Sequence, residues 1–170
     1  MPKLIDTLGN LVENPWQLFA KDSTLDAVQQ CTAKLVLVPA ALWNSQKTAL
    51  LSTGKTFGVW LDSNETATLL TDEDLDTLPL IALNFPTFMD GRSYSTAAIL
   101  RQQLGYTGDI RSIGDVLRDQ LFYQKRCGFS SFDLKDSVKL EDAQKALHDF
   151  TMTYAATVEE PTPLFRRRRA

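Results

Sequence analysis

Three arginines with acidic neighbours are the residues of this chain best suited to chemistry. Arg92 stands between Asp90-Gly91 and Tyr94-Ser95, Arg111 lies inside an apolar run, and Arg118 belongs to Gly114-Asp115-Val116-Leu117-Arg118-Asp119-Gln120. A guanidinium grips an oxyanion such as sulfite or phosphate through paired N–H donors. Asp90 or Asp115 beside it can act as the acid–base group. Arg111 carries the most weight, because a buried guanidinium costs on the order of several kcal/mol unless an anion meets it. Gln120 falls within an apolar helical arc, where an unpartnered amide costs about 1–3 kcal/mol. The candidate ligand or partner rim is therefore Asp90, Gly91, Arg92, Tyr94, Ser95, Arg111, Gly114, Asp115, Arg118, Asp119 and Gln120.

The same residues admit a purely structural reading. Asp90-Gly91 is a tight-turn pair, and Asp115 suits a helix N-cap, where its carboxylate would occupy the positive helix end. Asp90, Asp115 and Asp119 would then simply neutralise Arg92, Arg111 and Arg118.

Other chemistries find little footing. His148 is the only histidine, and it flanks an apolar stripe with no metal-spaced partners. A serine or cysteine catalyst would have to use that histidine. Cys31 and Cys127 cannot ligate a four-cysteine cluster, and Cys127 is expected to be an inert core thiol. Gly54-Lys55-Thr56 resembles the end of a phosphate loop but precedes a strand and lacks the first glycine. The cofactor stays unassigned, as no flavin, haem or nicotinamide motif is present.

The rim residues sit where short apolar runs end. These runs begin at Leu35, Phe57, Leu78, Asp109 and Phe129, a βα-unit spacing. Their continuous apolar character predicts parallel strands buried on both faces. Helices are expected from a Ser93 cap to Leu104, from an Asp115 cap to Gly128, and along Leu140, Ala143, Leu147, Phe150 and Tyr154. The predicted fold class is α/β, with mostly parallel βα repeats in an open, barrel-like arc; a flavodoxin-like doubly wound sheet is the alternative. Gly9-Asn10 suggests an N-terminal β-hairpin within about residues 1–20. One domain is expected over 1–160, with 161–170 as a basic flexible tail.

The chain has 170 residues, 44% apolar and 23% charged, with a net charge of −3. No apolar run is long enough for a membrane span. Two unpaired cysteines and no leader-like start fit a cytoplasmic location. Arg166 to Arg169 leave the remaining body acidic, which makes nucleic acid an unlikely partner for anything but that tail.

Phe85-Pro-Thr-Phe-Met-Asp-Gly-Arg-Ser-Tyr-Ser, then Leu100-Arg101, Gly105-Tyr-Thr-Gly, Ile110-Arg111, Gly114-Asp-Val-Leu-Arg-Asp-Gln-Leu-Phe and Arg126-Cys-Gly-Phe form a dense pattern. It resembles a bacterial family of unknown function whose members are commonly described as probable oxidoreductases involved in sulfite reduction. The resemblance spans most of residues 34–165. It implies an accessory or oxidoreductase component of assimilatory sulfite reduction, with sulfite reductase as partner, and supplies no catalytic residues. The residues themselves keep a second possibility open: a small-molecule enzyme or oxyanion-binding protein using the strand-end rim.

Overall fold

The computed structural model describes residues 3–150 and 152–167. In chain order the elements are β1 (Lys3–Asp6), β2 (Gln17–Leu18), α1 (Leu25–Gln30), β3 (Leu35–Pro39), α2 (Ala40–Leu51), β4 (Thr56–Leu61), α3 (Asp72–Thr77), β5 (Leu80–Phe85), α4 (Arg92–Gln102), β6 (Asp109–Gly114), α5 (Leu121–Cys127), β7 (Ser131–Leu134), α6 (Leu140–Ala146) and α7 (Leu164–Arg167). One seven-stranded sheet runs β1-β7-β6-β5-β4-β3-β2. All pairings are parallel except β1 with β7.

From β3 to β7 each strand adds beside the last, always in the same direction. A doubly wound sheet needs a reversal of strand order. None occurs here, so the sheet is the expected open half-barrel. Uniform right-handed crossovers place the helices on one face. There Trp43, Leu50, Ala97, Leu100, Leu121 and Ala143 pack on Val36, Val59, Ile81, Phe85, Ile110 and Phe132.

The concave face carries a smaller cluster of Leu37, Trp60, Leu80, Ala82 and Ile113, covered by Trp16. This cover changes the expected N-terminal hairpin. The chain does turn at Gly9, where Asp6 accepts from the Leu8 and Asn10 N–H groups, but among the described residues a single bridge, Ile5–Leu11, closes the turn. β1 and β2 then part to opposite edges of the sheet. The segment between them crosses the concave face as a strap, because no helix is left to bury that apolar surface.

Helix ends also differ from expectation. Gly91, not Ser93, stands at the N-cap of α4, and Ser93 Oγ instead donates to the Asn84 carbonyl. Asp115 caps no helix; a 3-10 turn at Arg118–Gln120 leads into α5. α6 stops at Ala146, and Phe150 turns away to meet the Phe122 ring at 5.1 Å. Residues 164–167, inside the segment expected as a tail, form α7, and Arg167 donates to the Thr153 carbonyl. Arg168 and Arg169 lie outside the described residues.

The start of α3 shows how one carboxylate organises this scaffold. Asp74 accepts from Thr71 N, Thr71 Oγ1 and the Trp43 indole N–H, and pairs with Lys47 at 2.8 Å. Burial opposes its charge, but these donors hold its pKa below the ordinary value. Asp74→Ala strands a buried indole N–H and a lysine, and should cost about 3 kcal/mol in urea unfolding.

Candidate functional site

The carboxyl ends of β4, β5 and β6 bring two polar groups together. In the first, Asp62 accepts from Lys21 Nζ, Asn84 Nδ2 at 3.0 Å and Ser63 N at 2.9 Å. Burial works to raise its pKa, yet these bonds bring it below the usual carboxylate value. Ser63 Oγ in turn accepts from Arg92, whose guanidinium also grips Asp90 at 2.6 Å. That contact holds the Asp90 carboxyl well below its ordinary range.

The second group forms around Asp115. Its carboxylate accepts from Phe88 N and Lys135 Nζ, and the lysine bond keeps its pKa low. Gln120 Oε1 accepts from Leu117 N at 2.8 Å, and its Nε2 faces the Phe88 carbonyl at 3.5 Å. Tyr94 packs between Phe85 and Tyr123, with ring centroids at 5.1 and 4.9 Å. Burial pushes its phenol up to about 12. Ser95 and Asp119 point to solvent. Gly114 has φ +95°, and a side chain there would strike Asn84 and the Phe85 backbone, so glycine is required.

The three arginines do not converge. Arg92 sits at the strand ends, Arg118 reaches Asp119 and Asp149, and Arg111 lies on the concave face. Arg111 donates to Ser131 Oγ, Asn14 Oδ1 and Asp109 Oδ2, each at 3.0 Å. Each arginine therefore has its own carboxylate, and no shared oxyanion cradle forms among them. Asp133 shares the concave face: its Oδ1 is buried without a partner, and burial raises its pKa despite the attraction of Arg111. Cys127 is half-buried, with its thiol pushed up by burial.

Two features escaped the sequence reading. The first is a cavity of about 340 Å³ at the strand ends, bounded by Leu18 of β2, by Phe19–Lys21 directly after it, and by Trp60, Asn84, Ile113 and Gly114. Asp62 and Asn84 end the second and third apolar runs and are reached by the strand-end rule; Lys21 is not, since nothing local announces the path of the chain around β2. The second is a groove of about 510 Å³ on the outward side of α5, walled by Tyr123, Arg126, Phe150, Met152 and Tyr154. The Arg126 guanidinium lies 5.8 Å over the Phe122 ring. Its Nε is buried without a partner, and no ion pair reaches it among the described residues. Gln124, on the inner side of α5, is fully buried with both amide atoms unpartnered.

The family model for a bacterial protein of unknown function (DUF934) matches residues 58–165. The chain belongs to this family. The match runs from β4 into α7, so the family region holds the Asp115 group and the α5 groove, whereas Lys21 and the strap precede it. No curated protein gives a match. Among the described residues no helix is long and apolar enough to cross a membrane.

Arg111→Met breaks a buried pair and should cost about 3–5 kcal/mol in urea unfolding, without rescue by lysine. Asp133 gives an opposite effect. Its raised pKa means the fold favours the protonated carboxyl, so its contribution is full at acid pH and is lost as pH rises through the folded pKa. Asp133→Asn should therefore melt higher than the parent at pH 7, and the gap should close in acid.

Proposed function

We propose that this protein is an accessory component of assimilatory sulfite reduction, docking on the sulfite reductase through the outward face of α5. The observation that carries the reading is an unpaired, half-buried Arg126 inside an aromatic groove. Tyr123, Phe150, Met152 and Tyr154 are 51, 65, 63 and 70% exposed around it. Aromatic residues, methionine and arginine are the types enriched at protein interfaces, and contiguous exposed apolar patches mark them. An unpaired guanidinium over a ring adds a demand for a partner carboxylate. Phe88 and Met89, 45 and 87% exposed, add further apolar surface within the same dense segment of the sequence.

The resemblance of residues 85–132 to proteins described in sulfite reduction supplies the pathway, and the groove supplies a means of acting in it by binding. The arginine-rich end adds positive charge nearby: Arg167 is committed to Glu160 and the Thr153 carbonyl, while Arg166 is exposed beside Phe165. An acidic reductase surface suits both. On this reading the protein works in the cytoplasm beside the reductase.

Tagged protein captured from a sulfite-grown bacterium should bring down a reductase subunit. Arg126→Glu and Tyr123→Ser should each weaken that capture at least about tenfold, with circular dichroism showing each variant folded. Failure to recover the reductase above background, or equal recovery with both variants, rules the docking face out.

A further inference from the structure

The strand-end cavity is separate from the α5 groove and has chemistry of its own. At about 340 Å³ it lies at the small end of pockets that hold organic molecules. It opens at the carboxyl ends of β4, β5 and β6, the edge where parallel α/β sheets place ligands. Its walls are mostly apolar: Leu18 of β2, Phe19 directly after it, Trp60 from β4 and Ile113 from β6. The Trp60 indole N–H is already spent on the Phe19 carbonyl at 2.9 Å. That bond ties strap to sheet and leaves the indole to offer a ligand only apolar surface.

Two polar side chains complete the lining, Lys21 and Asn84, and Asp62 orients both. An ionised carboxylate only accepts. Asn84 must therefore turn its NH₂ toward Asp62, which leaves Oδ1 as the acceptor offered to the cavity side. Lys21 has three N–H donors, one of them on Asp62, and its side chain is 56% exposed. It keeps donors for an incoming oxygen. The Lys21 charge is balanced by Asp62, so the lining presents one donor and one acceptor with no net charge left over.

We propose that this cavity binds a small, neutral, planar heterocycle through an amide-like N–H/C=O edge. The ring lies among Phe19, Trp60 and Ile113; its carbonyl accepts from Lys21 and its N–H donates to Asn84 Oδ1. Gly114 is part of the design, because a Cβ there would collide with that same Oδ1. An anionic ligand gains less, since Asp62 repels it beside Lys21.

Uracil and 2-pyridone serve as neutral probes and benzoate as the anionic comparison, titrated into the full chain by calorimetry and by tryptophan fluorescence. The neutral probes should bind saturably and at least about tenfold tighter than benzoate. Lys21→Met, a substitution at a largely exposed side chain, should weaken them about tenfold while circular dichroism shows the variant folded. Trp60→Phe removes both an aromatic wall and the bond to the Phe19 carbonyl, so it should abolish most of the fluorescence change and weaken the calorimetric binding as well. No saturable binding of either neutral probe, benzoate binding as tightly, or Lys21→Met binding like the parent would each overturn the proposal. The reductase capture is scored independently with Arg126 and Tyr123 variants, so either result can fail without the other.

Discussion

A sheet wound in one direction has its helices on one side, and that leaves its other face to be buried by something else. In this protein the burden falls on the strap between β1 and β2. Trp16 covers the apolar patch of Leu37, Trp60, Leu80, Ala82 and Ile113, and Asn14 accepts from Arg111 on the same face. The strap then joins the far edge as β2 and continues to Phe19 and Lys21, which close the strand-end cavity. Burial of the concave face and construction of the cavity are thus one structural event.

Charge is handled by local neutralisation almost everywhere. Arg92, Arg111 and Arg118 each meet a carboxylate, and Arg101 spends its guanidinium on the carbonyls of Tyr106, Gly108 and Gly128. Burial lowers the Arg101 pKa, so those carbonyls matter to holding its charge. Gly128, at φ +105°, ends α5 and presents one of them. Arg101 and Gly128 therefore read as scaffold within the dense family pattern. Against this background Arg126 stands apart: its Nε is buried without a partner, and no ion pair reaches it among the described residues. Desolvation without a countercharge is costly, and its setting among exposed rings is that of a surface awaiting a partner rather than a finished interior.

Strand positions were legible from composition. The runs beginning at Leu35, Phe57, Leu78, Asp109 and Phe129 correspond to β3, β4, β5, β6 and β7, within about two residues at their starts. Backbone buried on both faces demands continuous apolar sequence, and that signal is local. The choice of an open arc was also within reach, since five units at βα spacing cannot close an eight-stranded barrel. Helix caps were not. Ser93 and Asp115 have good capping side chains, but Ser93 bonds the Asn84 carbonyl while Asp115 bonds Phe88 N and Lys135, twenty residues or more away. Competition from distant partners overrides local preference.

By itself the sequence determined which segments could be buried strands, that Arg111 required a countercharge, and to which family pattern residues 85–132 conform. The countercharge, Asp109, stands two residues away on the same strand face, whereas only the tertiary structure brought Ser131 and Asn14 to Arg111, through strand register and the strap's path. It likewise decided that Lys21 stands at the mouth of the sheet and that Arg126 stands unpaired. Burial and periodicity are properties of neighbouring residues along a chain, whereas a site is a meeting of residues whose separation the chain does not encode locally.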